Sequence, residues 1–324
     1  MKAVVTRSYG LPDNVVLEDV DPQALGDTDL LLRVRAASVN ALDWRFAAGR
    51  PFIMRPFTGW TKPKRAIRGV DVAGVVESVG AKVTRFRPTD EVFGLASGSF
   101  AERAPADESE LLIKPEEMSF EVAASLPVAG CTALHALRKP GPFEPGTRVL
   151  VNGAAGGVGS FTVQIAKAWG AAHVTGVCST GKVELVRSLG ADEVVDYRKD
   201  DFASQSGRYD LVVDAVGNRS LRDLRRVMTP KGSLVLVGGG GGSILGPMAQ
   251  MGRAAVMKRF VGQKVVTVMS KVDRDSLQEL CDLYGAGMLT PAIERTCTLP
   301  EAPAAIYHLA NGKAAGKTVI LLES

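Results

Sequence analysis

The sequence predicts an α/β protein of two domains, one mostly β and one a doubly wound parallel sheet. Three observations predict it. The first third consists of short β-branched or alternating runs, with no long amphipathic helix before about residue 120. From Arg148 onward, apolar strands alternate with helix-like segments, the rhythm of βα units that cover both faces of a parallel sheet. The length, 324 residues, exceeds what one ordinary core organises.

Composition narrows the class further. With 46% hydrophobic and 23% charged residues the chain is globular, neither disordered nor fibrous. A net charge of +4, mostly spread along the chain, makes no whole-chain case for nucleic acid or membrane as partner. Cys131, Cys178, Cys281 and Cys297 are far apart and form no CxxC pair, so a disulfide framework is not expected and a reducing cytoplasm is. The start, MKAVVTRSYG, lacks the apolar core of a signal peptide. The longest uncharged run, Gly232 to Gly252, is Gly-rich and interrupted by Pro, and reads as a strand plus a loop rather than a membrane span.

Taken in order, KAVVTR, VVLEDV, DLLLRVRAASVN, GVDVAGVVESVG and DEVFGL are strands separated by Pro, Gly and Asp. Phe120 to Lys139 is helical, with a Pro near its middle. Strand RVLVN, helix GGVGSFTVQIAKAWG, strand HVTGVCS, helix KVELVRSLG, strands EVVDY and YDLVVDAVG, helix LRDLRRVM and strand SLVLVGG follow. After KVVTVMS the alternation ends. DSLQELCDLY, IERTCTL, EAPAAIYHLA and KTVILLE are expected to fold back onto the first domain. The expected boundaries are 1–122 with 272–324 for the mostly-β domain and 123–271 for the parallel sheet.

The stretch richest in chemistry joins strand Arg148–Asn152 to a helix through glycines. As a fingerprint it reads Ala154-x-Gly156-x-x-Gly159, with Ala in the first place. Gly156 lets backbone approach a pyrophosphate, Gly159 lets the helix pack closely, and the helix N-terminus offers N–H groups to phosphates. The second strand ends in Cys178, Ser179, Thr180, Gly181 and Lys182, without the carboxylate that holds a ribose 2′-hydroxyl. Hydroxyls and a lysine there favour a 2′-phosphate, hence NADP(H); Tyr197 and Arg198 follow the third strand. Lys182 also reads as a solvated residue on a first helical turn. No GxSxG elbow or Walker sequence occurs, and three scattered histidines supply no hydrolase triad.

At these residues the chain resembles the medium-chain dehydrogenase/reductase superfamily, in its zinc-free quinone oxidoreductase-like branch. The landmarks are AASVNALDW, GVDVAGVVESVG, AGCTALHAL, NGAAGGVGSFTVQIAK, KVELVRSLGADEVVDY, DAVG and GKTVILL. The resemblance implies a GroES-like catalytic domain, a Rossmann domain and a cofactor, NADPH, in the cleft between them. It assigns Ser179, Lys182 and Tyr197 to the 2′-phosphate. Ala155, Gly156, Gly157 and Val158 fall on the pyrophosphate turn, and Thr132 and Asn40 on the nicotinamide surroundings. Gly217 and Gly238 end strands along the cofactor, and Lys317 stands where relatives have a basic residue reaching the pyrophosphate. Zinc-dependent relatives place Cys, His-Glu and Cys where this chain has Asn40, Val70-Asp71 and Val128. A catalytic zinc needs about three N or S ligands, so no metal is expected.

The expected activity is zinc-independent hydride transfer from NADPH to a conjugated carbonyl such as a quinone, enone or 2-enal. Asn40 is a candidate for steadying the enolate and Asp43 a candidate acid, though Asp43 reads more readily as structural. A non-catalytic NADPH-binding sensor and a pathway-specific double-bond reductase are the alternatives. A homodimer through the KVVTVMS edge strand is expected by analogy with relatives. Between Asp43 and Asp71 lie Arg45, Arg50, Arg55, Lys62, Lys64, Arg65 and Arg68 with Trp44, Phe46, Phe52, Phe57 and Trp60, and no acid. That segment reads equally as a substrate pocket with a cationic rim or as a solvated loop over packed aromatics. Met248, Met251 and Met257 read as pocket wall or core.

Overall fold

The computed structural model describes residues 1–50, 52, 55–204, 206–237, 262–269 and 271–322. Gly238, Met248, Met251 and Met257 lie outside the described residues.

In chain order the strands and helices begin with β1 (Lys2–Val5), β2 (Val16–Asp19) and β3 (Asp29–Ser38). Two short helices follow, α1 (Ala41–Ala47) and α2 (Arg55–Thr58), then β4 (Asp71–Val79), β5 (Glu91–Leu95), β6 (Arg103–Asp107) and β7 (Leu111–Ile113). The expected helix over 120–139 is two helices, α3 (Phe120–Ser125) and α4 (Pro127–Arg138). Proline has no N–H to give and is tolerated in a first turn, so Pro127 opens α4 instead of sitting inside a longer helix. The βα units are β8 (Arg148–Asn152), α5 (Gly157–Ala168), β9 (His173–Cys178), α6 (Val183–Ser188), β10 (Glu193–Asp196), β11 (Tyr209–Asp214), α7 (Leu221–Val227), β12 (Met228–Val237) and β13 (Lys264–Val268). The chain closes with α8 (Arg274–Gly285), β14 (Ile293–Thr298), α9 (Ala302–Ala310) and β15 (Lys317–Leu321).

The chain divides into two compact units. One comprises Met1–Val128, Val272–Cys281 and Ile293–Ser324, the other Ala129–Lys271 and Asp282–Ala292. The division thus falls six residues beyond the expected 122, and 282–292 groups with the second unit.

In the first unit a sheet runs β14-β15-β3-β4-β5-β7, with β6 also paired to β3. Strand β3 is central. Its first half alternates buried and part-exposed residues, and its end, Ala36 to Ser38, is buried throughout because β4 and β15 flank it there. Leu30, Leu32, Val72, Val92, Ile306 and Ile320 fill the core of this unit. The second unit is an all-parallel sheet in the order β10-β9-β8-β11-β12-β13. Its strands Val149–Val151 and Val212–Val213 are fully buried, as expected for a sheet covered on both faces. The order reverses between β8 and β11, and in such sheets ligands bind outside the strand C-termini at that reversal.

Candidate functional site

The glycine turn sits at the end of β8, beside the reversal. Gly153 makes the sharp turn with φ +87, a conformation that favours glycine, so the turn begins one residue earlier than the fingerprint reading placed it. A side chain on Gly159 would overlap the Gly153 carbonyl and lie 2.8 Å from Ala154 Cα, so this glycine is required for α5 to lie against the turn. Gly156 is different: a Cβ there would meet nothing nearer than the Gly153 oxygen at 3.3 Å, so nothing in the protein demands its bareness as strongly. The first turn of α5 has no acid and no side-chain cap. Its N–H groups and positive dipole end suit an anion beside Ala155, Gly156, Gly157 and Val158.

Next to the turn, Asp214 organises the end of β11. Its Oδ1 accepts from Asn152 Nδ2 (2.8 Å), Val216 N (3.1 Å) and Gly217 N (2.9 Å). Gly217 has φ +74, which permits this tight return. Thr132 lies on α4 and is 3% exposed.

At the ends of β9 and β10 the structure brings together the residues assigned to the 2′-phosphate. Lys182 N donates to Ser179 O (2.9 Å), and Tyr197 N donates to Cys178 O (3.0 Å). Lys182 is partly exposed and Tyr197 is exposed. One neighbour went unread in the sequence. Asp196 pairs in register with Cys178, and its carboxylate accepts from Thr180 Oγ1 (2.6 Å) and Arg198 N (3.0 Å). The Thr180 hydroxyl, above all, holds this carboxyl below the usual range. A charged acid therefore stands one strand away from the second strand's end, satisfied by its own neighbours. Burial, then Asp196, pushes the Cys178 thiol up to about 11, which disfavours the thiolate that a redox nucleophile needs.

The first unit holds a buried polar hub around Asp71, which is 0% exposed. Asp71 Oδ1 accepts from Val128 N (3.0 Å). Asp71 Oδ2 accepts from Ser38 Oγ (2.7 Å), Asn40 Nδ2 (2.8 Å) and the Lys317 ammonium (3.4 Å). The same ammonium donates to Asn40 Oδ1 (2.7 Å) and Val39 O (3.4 Å), and Lys317 is 2% exposed. Lys317, expected at a pyrophosphate, is therefore turned into its own unit with all three hydrogens engaged. Asn40 is equally committed: Nδ2 also donates to Ser38 O (3.3 Å), which leaves no hydrogen of its amide free. Asp43 Oδ2 accepts from Asn40 N (2.7 Å) at the start of α1. Burial raises the Asp43 carboxyl to about 7, opposed by that N–H and by Arg68. Asp43 thus has the geometry of a helix cap.

The donor set does not fit a catalytic zinc. Of the positions that carry ligands in zinc-dependent relatives, two are occupied by valine, and the oxygens of Asn40 and Asp71 already face an ammonium. In the basic segment, Arg55 lies between the rings of Tyr9 (4.6 Å) and Phe52 (4.4 Å), and Arg68 is buried. Lys62, Lys64 and Arg65 are exposed, and Trp60 is 71% exposed.

Comparison with known proteins agrees with this layout. Residues 26–116 match the model of the alcohol dehydrogenase GroES-like domain, and residues 189–320 that of the zinc-binding dehydrogenase. Quinone-oxidoreductase QR1, chloroplastic, from Triphysaria versicolor is 31% identical over 91% of this chain and 90% of its own length. This chain belongs to the medium-chain dehydrogenase/reductase superfamily, in its quinone oxidoreductase-like branch. Within that branch, the tomato (Solanum lycopersicum) 2-methylene-furan-3-one reductase is 37% identical over 74% of this chain. The Arabidopsis thaliana NADPH-dependent alkenal/one oxidoreductase, chloroplastic, is 39% identical over 67% of it. The matches span 62% and 58% of those two relatives' lengths. The solved quinone oxidoreductase of Coxiella burnetii superposes with a TM-score of 0.87 at 27% identity, over 100% of this chain and 99% of that one. The two units are accordingly the GroES-like and Rossmann folds of the superfamily. Among the described residues no helix is long and apolar enough to cross a membrane.

Proposed function

We propose that this protein is an NADPH-dependent reductase that passes hydride to a conjugated carbonyl, a quinone, enone or 2-enal, without zinc. The observation that carries the reading is the glycine turn, where Gly156 leaves an approach open in front of an uncapped helix. The kinship to an enone reductase and to an NADPH-dependent alkenal/one oxidoreductase supports the acceptor class and the cofactor. NADPH, when bound, supplies the hydride. The Rossmann unit's own residues would hold it: Ala155 to Val158 at the pyrophosphate, Ser179, Lys182 and Tyr197 at the 2′-phosphate, Thr132 and Gly217 nearer the nicotinamide.

Chemistry at the acceptor follows from the hub. With an ammonium engaged where a Lewis acid would need donors, an alcohol is not acidified, and the favoured acceptor carbon is one already electrophilic. Asn40 has no spare hydrogen for an enolate. That task falls to main-chain N–H groups, and the final proton to solvent. Four free cysteines suit a reducing cytoplasm, and edge strand β13, followed by Met269 at 78% exposure, is the surface we assign to a homodimer.

The test is a grid of NADPH and NADH against quinones, enones and 2-enals, with and without chelator. Oxidation of NADPH well above NADH, insensitive to chelator, is expected. NADPH binding with no turnover across the panel would make the protein a binder rather than an enzyme. Lys182→Ala should weaken NADPH and leave NADH nearly unchanged; equal loss for both would remove Lys182 from the 2′-phosphate.

A further inference from the structure

We infer that the Asp71–Lys317 pair is a positioning device that does the cross-linking work of a metal, and that it sets turnover rather than cofactor affinity. In zinc-dependent relatives one ion ties together three places in the chain. Here the same three places, Asn40, the start of β4 and Val128, converge on a single carboxylate. Asp71 takes Val128 N on one oxygen and Ser38, Asn40 and Lys317 on the other. Lys317 closes the ring by donating to Asn40 Oδ1. Between them, anion and cation fix which way the Asn40 amide faces: oxygen to the ammonium, nitrogen to the carboxylate. Neither charge touches solvent, at 0% and 2% exposure, so each is held in place by the other. An ammonium spent in this way on three protein acceptors has nothing left for a pyrophosphate.

The inference rests on the reductase reading for its kinetic arm and on nothing beyond the hub for its spectroscopic arm. Lys317→Met, Asp71→Asn and the double variant are compared with the wild type. The measurements are kcat and KM, the NADPH dissociation constant by nicotinamide fluorescence, and solvent exchange of the Asn40 side-chain amide by NMR. Lys317→Met is expected to lower kcat about tenfold to a hundredfold, the scale of a slightly misplaced group, because the ammonium also anchors the Val39 main chain that leads into Asn40 and α1. The NADPH dissociation constant should stay put. Asp71→Asn should lose as much, and the double variant no more than the worse single one, since all three break one device. The Asn40 amide hydrogens should exchange slowly in the wild type and quickly in Lys317→Met. Should a single variant fail to fold, the double variant leaves no buried charge unpaired and carries the same readouts.

Three results would overturn the inference: weaker NADPH binding with kcat intact in Lys317→Met, additive losses in the double variant, or Asn40 exchange unchanged by Lys317→Met. If the wild type reduces no acceptor, the reductase reading falls, and Asn40 exchange still decides the pair.

Discussion

Asp43 shows how one side chain can couple this fold to pH. Its carboxyl is 2% exposed, and burial lifts it to about 7. A raised carboxyl binds its proton more tightly folded than unfolded. The stability it contributes is therefore fully present below the unfolded value near 3.9 and is lost as pH climbs through about 7. At about 1.4 kcal/mol per pKa unit, the span amounts to at most about 4 kcal/mol. Asp43→Asn keeps an oxygen for the Asn40 N–H and removes the charge. The wild type should lose stability relative to this variant between about pH 4 and pH 7, measured by urea unfolding across that range. Parallel curves would show that Asp43 is solvated or that Arg68 holds it charged. The sequence marked Asp43 as more readily structural than acidic; its burial and the pull of Arg68 on it depend on residues elsewhere in the chain.

At the scale of elements, the β8–α5 junction separates a packing glycine from a binding one. Gly159→Ala pushes a methyl into the Gly153 carbonyl, so α5 must lift from the turn. Overpacking of this kind costs about 1–3 kcal/mol, and a lower melting temperature is expected together with weaker NADPH binding. Gly156→Ala meets only one oxygen at 3.3 Å, so its melting temperature should stay close to the wild type while NADPH weakens. Equal melting losses in both would mean that Gly156 is bare for packing alone. The strand–turn–helix unit was legible because its signals are local: a buried run, glycines and a helix start within a few residues. The break before Pro127 was half legible. The proline was visible, but not that opening a helix there frees the Val128 N–H for Asp71.

For the whole molecule, two units with separate cores imply that a ligand of one need not protect the other equally. NADPH at a hundred times its dissociation constant should add about 2.7 kcal/mol to the unit that binds it. Hydrogen exchange should slow across β8, β9 and β11 more than across β3, β4 and β15. Uniform slowing in both sheets would show that they open as one. The alternation of strands and helices announced a parallel sheet, whereas the order β10-β9-β8-β11-β12-β13 emerged only with the pairing. The return of KTVILLE to the first domain is readable in the sequence, whereas its place beside β3 emerged only with the pairing.

The sequence by itself determined the βα rhythm, the glycine turn and the lack of an acid at the end of β9. Each of these is set by backbone sterics and side-chain chemistry within one short stretch. Tertiary structure decided the hub. Ser38 and Asp71 are 33 residues apart and Asp71 and Lys317 are 246 apart. Only the pairing of β4 and β15 on either side of β3 brings their charges together, away from water, where each needs the other.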